Sequence, residues 1–314
     1  MTRLNMNTTK TVTDAAGLAA RAMLSTVKIS QWTAKRTDKK IERAVAAAAG
    51  SKGGKHSKTD KYLVTTDEPT WKDVCRAGRA VWSHWREKTL PWQDGGTRLL
   101  LGTRYLTFAK KLEALVKDYN EAVAAFVADY ENIIARQAPR LGSDFDRSQY
   151  PADIADKFGV AIDYRPVECG NDFRVDIDDE HMTALREARD KVTMAAADRA
   201  AREPWQRMQG VVKKMVETLK QPTKIFRDTL VDNIRDVCEA IPELNIMGDT
   251  DLDTITEEIK RELTTLTADS LRDPEWKKNA DSFTARDRSE DARNARAQAA
   301  DKAADILKRI NEVM

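Results

Sequence analysis

The chain has 314 residues, 33% charged, 41% hydrophobic and 6% aromatic, with a formal net charge of +2 and only three cysteines and three histidines. That length sets a prior of about two domains and is ample to bury a core, while no apolar run approaches the ~20 residues of a membrane span. Cys75, Cys169, Cys238, His56, His84 and His181 are scattered, which argues against a disulfide framework, a zinc site or a Cys/His hydrolase.

The near-neutral total hides an uneven distribution. Residues 1–92 carry 18 Lys+Arg against 8 Asp+Glu, whereas residues 93–314 carry 35 against 43. The basic part also holds Trp32, Trp71, Trp82, Trp85 and Trp92, five of the seven tryptophans. Such a basic head on an acidic body implies an acidic partner for the head.

Residues 1–24 are expected to be flexible or weakly helical. Ala15–Leu24 is interrupted by Arg21 and lacks a signal-peptide core, so a cytoplasmic protein is expected. Ser25–Trp32 is β-branched and alternating, as in a short strand. A helix is predicted from Asp38 to Ala49, ended by Gly50, followed by a lysine-rich loop over Ser51–Lys61. The next helix starts near Thr66 or Asp67, with Pro69 in its first turn, and runs to about Thr89. Trp71, Cys75, Gly78, Trp82 and Trp85 fall on one arc of it. Leu90–Gly96 reads as a helix break and turn, leaving Trp92 as the expected exposed ring.

Tyr105, Ala109, Leu112, Val116, Tyr119, Val123, Phe126, Tyr130 and Ile133 repeat at heptad spacing, predicting one helix over 103–137. Its three tyrosines favour packing within the chain or an antiparallel hairpin over a parallel leucine zipper. Alternation in Gly159–Val167 and Phe173–Ile177 predicts a small β-hairpin, or a three-stranded element including Ser25–Trp32. A second long helix spans Asp179–Leu219, with Pro204 expected to kink or divide it. A helix over Thr223–Ala240 is expected to stop at Pro242. Asp249 or Thr250 caps the next helix, and an Ala-rich helix fills about Ala285–Val313. The fold class is therefore mainly α: a long helical hairpin or bundle with a small β element. In domain terms, a helical body spans 25–270, made of the basic head (25–92), the heptad helix (103–137) and the β insert (159–178). The C-terminal helix occupies 271–314.

Chemistry concentrates in the head. Lys35, Arg36, Lys39, Lys40 and Arg43, with Lys52, Lys55 and Lys58 supporting, are candidates for contact with phosphates or another acidic surface, and Trp92 is the candidate stacking ring. Lys72, Arg76, Arg79 and Arg86 line the tryptophan helix, whose rings are expected to be mostly core. Gly50–His56 departs from a phosphate-binding loop, with Ala49 and His56 where the pattern needs Gly and Ser or Thr. Asp249-Thr-Asp251-Leu-Asp253 opens like a calcium loop but lacks its Gly and Glu, with Thr254 and Lys260 there instead, so helix capping is expected. Asp176, Asp178, Asp179 and Glu180 suit a helix N-terminus better than a metal. No cofactor, metal or catalytic residue is implied.

Several anchors occur in a characteristic order: Ile29-Ser-Gln-Trp32-Thr-Ala-Lys35-Arg36, Leu90-Pro91-Trp92, Gly170-Asn-Asp172-Phe173-Arg174-Val175, Ile225-Phe226-Arg227-Asp228 and Leu244-Asn245-Ile246-Met247-Gly248-Asp249. Over roughly residues 25–270 the chain resembles a bacteriophage and proteobacterial domain-of-unknown-function family, number 3150. The resemblance implies a phage origin, the cytoplasm of an infected bacterium, and a role in an assembly beside AAA+ ATPases and von Willebrand A-like proteins. Sequence thus points to a non-catalytic protein, nucleic-acid-associated or an assembly factor. The second reading is an adaptor or inhibitor of a phage or host protein, such as a host enzyme or AAA+ ATPase. The third is a self-assembling structural protein.

Overall fold

Long stretches rich in Ala, Leu, Lys, Arg and Glu favour helix, and the computed structural model is 68% helical. It describes residues 12–50, 58–93, 96–173, 175, 178–221, 226–267, 270–271 and 290–314. In chain order the elements are α1 (Ala15–Arg21), β1 (Ala22–Ser30), β2 (Lys35–Thr37), α2 (Lys39–Ala48), β3 (Asp60–Tyr62), α3 (Pro69–Glu87), β4 (Leu90–Gln93) and β5 (Thr97–Leu101). They continue as α4 (Tyr105–Ala128), α5 (Tyr130–Leu141), β6 (Gly159–Pro166), α6 (Asp179–Leu219), α7 (Thr229–Leu244), α8 (Thr250–Glu262) and α9 (Glu290–Val313). A four-stranded antiparallel sheet has the order β4-β5-β1-β6, and β2 pairs with β3 separately.

The chain forms two compact units: residues 1–25, 87–105 and 164–314 in the first, 26–86 and 106–163 in the second. The basic head is therefore not a unit of its own, since its larger part folds with the heptad helix. Charge divides accordingly, at 21 Lys+Arg against 16 Asp+Glu in the second unit and 32 against 35 in the first.

In the first unit, the apolar faces of α6, α7, α8 and α9 close one core around Met208, Val212, Met215, Ile234, Ile259, Ala303 and Ile310. The Ala-rich C-terminal helix is thus part of this bundle. Pro204 does not divide α6: the helix runs through it, with Pro204 and Trp205 both buried. One missing amide donor is tolerated in a helix held by packing along its length. Pro242 likewise lies inside α7, two residues before its end.

In the second unit, α3 and α4 run antiparallel. Trp71 meets Phe126 near one end (centroids 5.4 Å apart) and His84 stacks on Phe108 near the other (5.2 Å). Gly78 permits the close approach, because a Cβ there would lie 3.0 Å from Gln31 Oε1 and 3.2 Å from the Tyr119 ring. The heptad helix breaks at Asp129. Its seam is buried at Leu112, Tyr119, Phe126, Tyr130 and Ile133, while Phe108, one position off the seam, replaces Ala109 at the start. The Tyr119 hydroxyl donates to the Ser30 carbonyl at 3.1 Å.

Two β expectations differ from the structure. Leu90–Gln93 is a strand, not a turn: β4 is the sheet edge, where Pro91 is tolerated, and the register slips between Pro91 and Gln93. In the predicted partner of Gly159–Val167, the described residues Phe173 and Val175 are not in a strand, and β6 lies beside β1. Arg174, Asp176 and Ile177 lie outside the described residues, as do residues 1–11, 51–57, 222–225 and 272–289.

Candidate nucleic-acid interface

The basic residues are presented by a small module, β2–α2–β3. Ala34 opens it, buried and with φ at +53°, a left-handed turn unusual for a residue with a Cβ. Lys35, Arg36 and Thr37 then pair antiparallel with Tyr62, Lys61 and Asp60. Asp38 caps α2, accepting from the Lys40 and Ile41 amides at 3.0 and 3.1 Å, while its own amide donates to the Thr59 carbonyl. Glu42 accepts from the Thr59 amide at 3.3 Å, tying the helix to the incoming strand.

A two-stranded pair this short cannot stand alone in water. It is stitched down at β3. Lys61 donates to the Asp144 carbonyl, Arg140 to the Tyr62 carbonyl (both 2.6 Å) and Tyr150 to the Leu63 carbonyl at 2.8 Å. Leu63 and Val64 are fully buried. Beneath them lies an aromatic cluster in which Trp32 meets Trp71, Tyr130 and Tyr150 at 6.0 to 6.3 Å between centroids. The module is therefore an exposed ledge on a packed base.

On that ledge Lys35, Arg36, Lys39, Lys40 and Arg43 are all exposed. Lys35 rests 4.6 Å above the Tyr62 ring, its cross-strand partner. Lys40 approaches Asp144 at 3.7 Å and Lys58 approaches Asp60 at 3.8 Å; both pairs face solvent and leave the cations available. Arg36, Lys39 and Arg43 have no ion-pair partner among the described residues. Lys52 and Lys55 lie outside them. α2 buries no residue, and Ile41 and Val45 are 42% and 44% exposed.

The expectation for Trp92 is overturned: it is 6% exposed and belongs to the first unit's core with Leu90, Ala196, Ala197 and Ala200. Once Leu90–Gln93 is a strand, its period of two turns Leu90 and Trp92 inward and Pro91 outward. Trp82 is the exposed ring instead, at 40%, with Trp85 beside it at 1%. Val74 and Val81 were the missed signal. They shift the buried face of α3 away from Trp82 and leave that ring at its edge.

The remaining candidates have structural partners. Asp249 accepts from the amides of Asp251 and Leu252 as the cap of α8, and from Trp205 Nε1 at 3.0 Å. Asp178 caps α6 through the His181 amide at 3.0 Å, and this hydrogen bond, with that from the His181 ring, holds its carboxyl below the usual range. Gln31 donates to the Cys75 thiol at 3.4 Å, and burial pushes that thiol up. Among the described residues no three His, Cys, Asp or Glu side chains gather as metal ligands, and no helix is long and apolar enough to cross a membrane. Comparison with known proteins found no matching family model, no matching curated protein and no matching solved structure.

Proposed function

We propose that this is a non-catalytic nucleic-acid-binding protein that meets the phosphate backbone through the β2–α2–β3 ledge. It would act in a phage-related assembly within the bacterial host, as the family resemblance implies. The supporting observation is that Arg36, Lys39 and Arg43 are exposed together and have no ion-pair partner among the described residues. Flexible surface cations held on an anchored scaffold suit a polyanion: each phosphate contact releases condensed counterions. Lys35, Lys40 and Lys58 add charge on the same ledge.

The second reading, a protein partner with an acidic surface, is favoured by one specific feature. Ile41 and Val45, one turn apart, leave an apolar stripe beside the cations of α2. Charge reversal at Arg36, Lys39 and Arg43 separates the two when combined with Ile41→Ser/Val45→Ser. Loss of oligonucleotide binding on charge reversal alone supports the first reading. Failure of the wild type to bind any oligonucleotide at low salt rejects it.

A further inference from the structure

Building on the nucleic-acid reading, we propose that α3 carries a second, single-strand-specific part of the interface, in which a base stacks on Trp82 while Arg79 and Arg86 meet the flanking phosphates. The observation is the contrast between Trp82 and every other described tryptophan. Trp71, Trp85, Trp92 and Trp205 are buried and Trp32 is half-buried in the aromatic cluster, whereas Trp82 is 40% exposed. Core packing accounts for the buried rings and leaves the outer part of Trp82 without a structural role. Its neighbour Trp85 supports it from beneath, with centroids 4.9 Å apart and the rings tilted by 57°.

The surroundings select the ligand. At about 100° per residue, Lys72, Arg79 and Arg86 fall within ~40° of one another, and Arg86 lies ~40° from Trp82. Residues seven apart lie roughly 10.5 Å apart along the axis, so the three cations form a track along which the ring sits between Arg79 and Arg86. All three cations are exposed. Of the two acids on the helix, Asp73 is turned to the other side and pairs with Arg76 at 2.9 Å, and Glu87 lies about 140° around the helix from Trp82. An exposed ring set between guanidinium groups is the arrangement that binds unpaired bases: every base has a face to stack, and sequence hardly matters. Stacked duplex DNA presents no free base face to such a ring, so the ledge would serve either form and α3 only the single strand.

The test is fluorescence anisotropy with a labelled thymidine 12-mer and a duplex of equal phosphate number, at about 50 mM salt, where phosphate contacts are strong. Trp82→Ala is expected to weaken 12-mer binding roughly 5- to 150-fold, with duplex affinity within about two-fold of wild type. Trp82→Phe, which keeps a ring, should retain most of the 12-mer affinity. Arg79→Ala should weaken it and lower its salt dependence. Unchanged 12-mer binding by Trp82→Ala overturns the assignment, as does an equal loss on both ligands. If Trp82→Ala is silent while neutralising Arg36, Lys39 and Arg43 abolishes binding, the α3 site fails and the ledge stands. If the wild type binds neither ligand, both fail. Comparing Trp82→Phe with Trp82→Ala keeps the result interpretable if the alanine variant is poorly folded.

Discussion

The Trp82 and Trp85 rings lie 4.9 Å apart on one helix, yet Trp85 is sealed in the core of its unit and Trp82 is not. Their substitutions should therefore diverge. Trp85→Ala is expected to cost ~3–5 kcal/mol of stability and Trp82→Ala on the order of 1 kcal/mol. Urea denaturation of both variants measures this, and equal losses would contradict the placement of the two rings.

The ledge should be the first part of its unit to open when its stitches are cut. Tyr150→Phe removes the hydroxyl that donates to the Leu63 carbonyl, and Arg140→Ala removes the donor to the Tyr62 carbonyl. Each is expected to cost ~1–3 kcal/mol locally. Hydrogen exchange should accelerate at Lys61–Leu63 before it does in α3 or α4. Uniform acceleration across the unit would show that the ledge is not a separable layer.

Acid should weaken the second unit through Asp129. Hydrogen bonds from Arg136 (2.6 Å) and Asn132 (3.0 Å) hold its carboxyl below the ordinary range, and Arg136 also donates to Glu68 at 2.7 Å. Because the folded value is depressed, the unfolded chain takes up the proton first as pH falls. The contribution is complete above the unfolded carboxylate value near 4 and is lost as pH drops through the folded one. Thermal melts between about pH 5 and 3 should fall less steeply for Asp129→Asn than for wild type. Parallel curves would remove Asp129 from the acid response.

Much of this architecture was legible in the sequence, and its failures have physical causes. Long amphipathic segments with caps, such as Asp178 before α6 and Asp249 before α8, declare themselves because helix periodicity accumulates over many residues. β2 and β3, at three residues each, carry no period to read and are held by α5, which supplies a donor to β3, and its following turn, which supplies an acceptor. β4 was hidden by Pro91, a residue that ends strands except at a sheet edge. The edge position depends on tertiary pairing with β5, which no local pattern reveals. That single misreading also reversed the expectation for Trp92. Within the candidate site, the cations were visible as composition, but the distinction between Trp82 and Trp85 required the phase of Val74 and Val81.

In the first unit, Arg296 joins α9 to the end of α6. Its Nε donates to the Leu219 carbonyl at 2.9 Å, its Nη2 to those of Thr218 and Gln221 at 2.7 and 2.6 Å, and the guanidinium lies 5.2 Å from the Phe226 ring centroid. A lysine can neither span three carbonyls nor stack as a plane. Arg296→Lys is therefore expected to cost about 2 kcal/mol and Arg296→Ala more. Urea denaturation reports it, and full rescue by lysine would reduce the contact to simple charge.

The cysteines offer a simple check on burial. Burial pushes the Cys238 thiol up to about 12, and Cys169 is also buried, whereas Cys75 is only partly so. In native protein near pH 8 an uncharged alkylating reagent should modify Cys75 slowly and the other two only after denaturant is added. Rapid labelling of all three without denaturant would contradict the two cores.

The ledge itself is tested most directly by the salt dependence of oligonucleotide binding, comparing wild type with Arg36→Ala/Lys39→Ala/Arg43→Ala. For the wild type, the logarithm of affinity should fall linearly with the logarithm of salt concentration. Removing three phosphate contacts should flatten that slope by about 2 on a single strand and weaken binding at low salt. Equal slopes and affinities for the two proteins, or a wild type whose binding ignores salt, would contradict it.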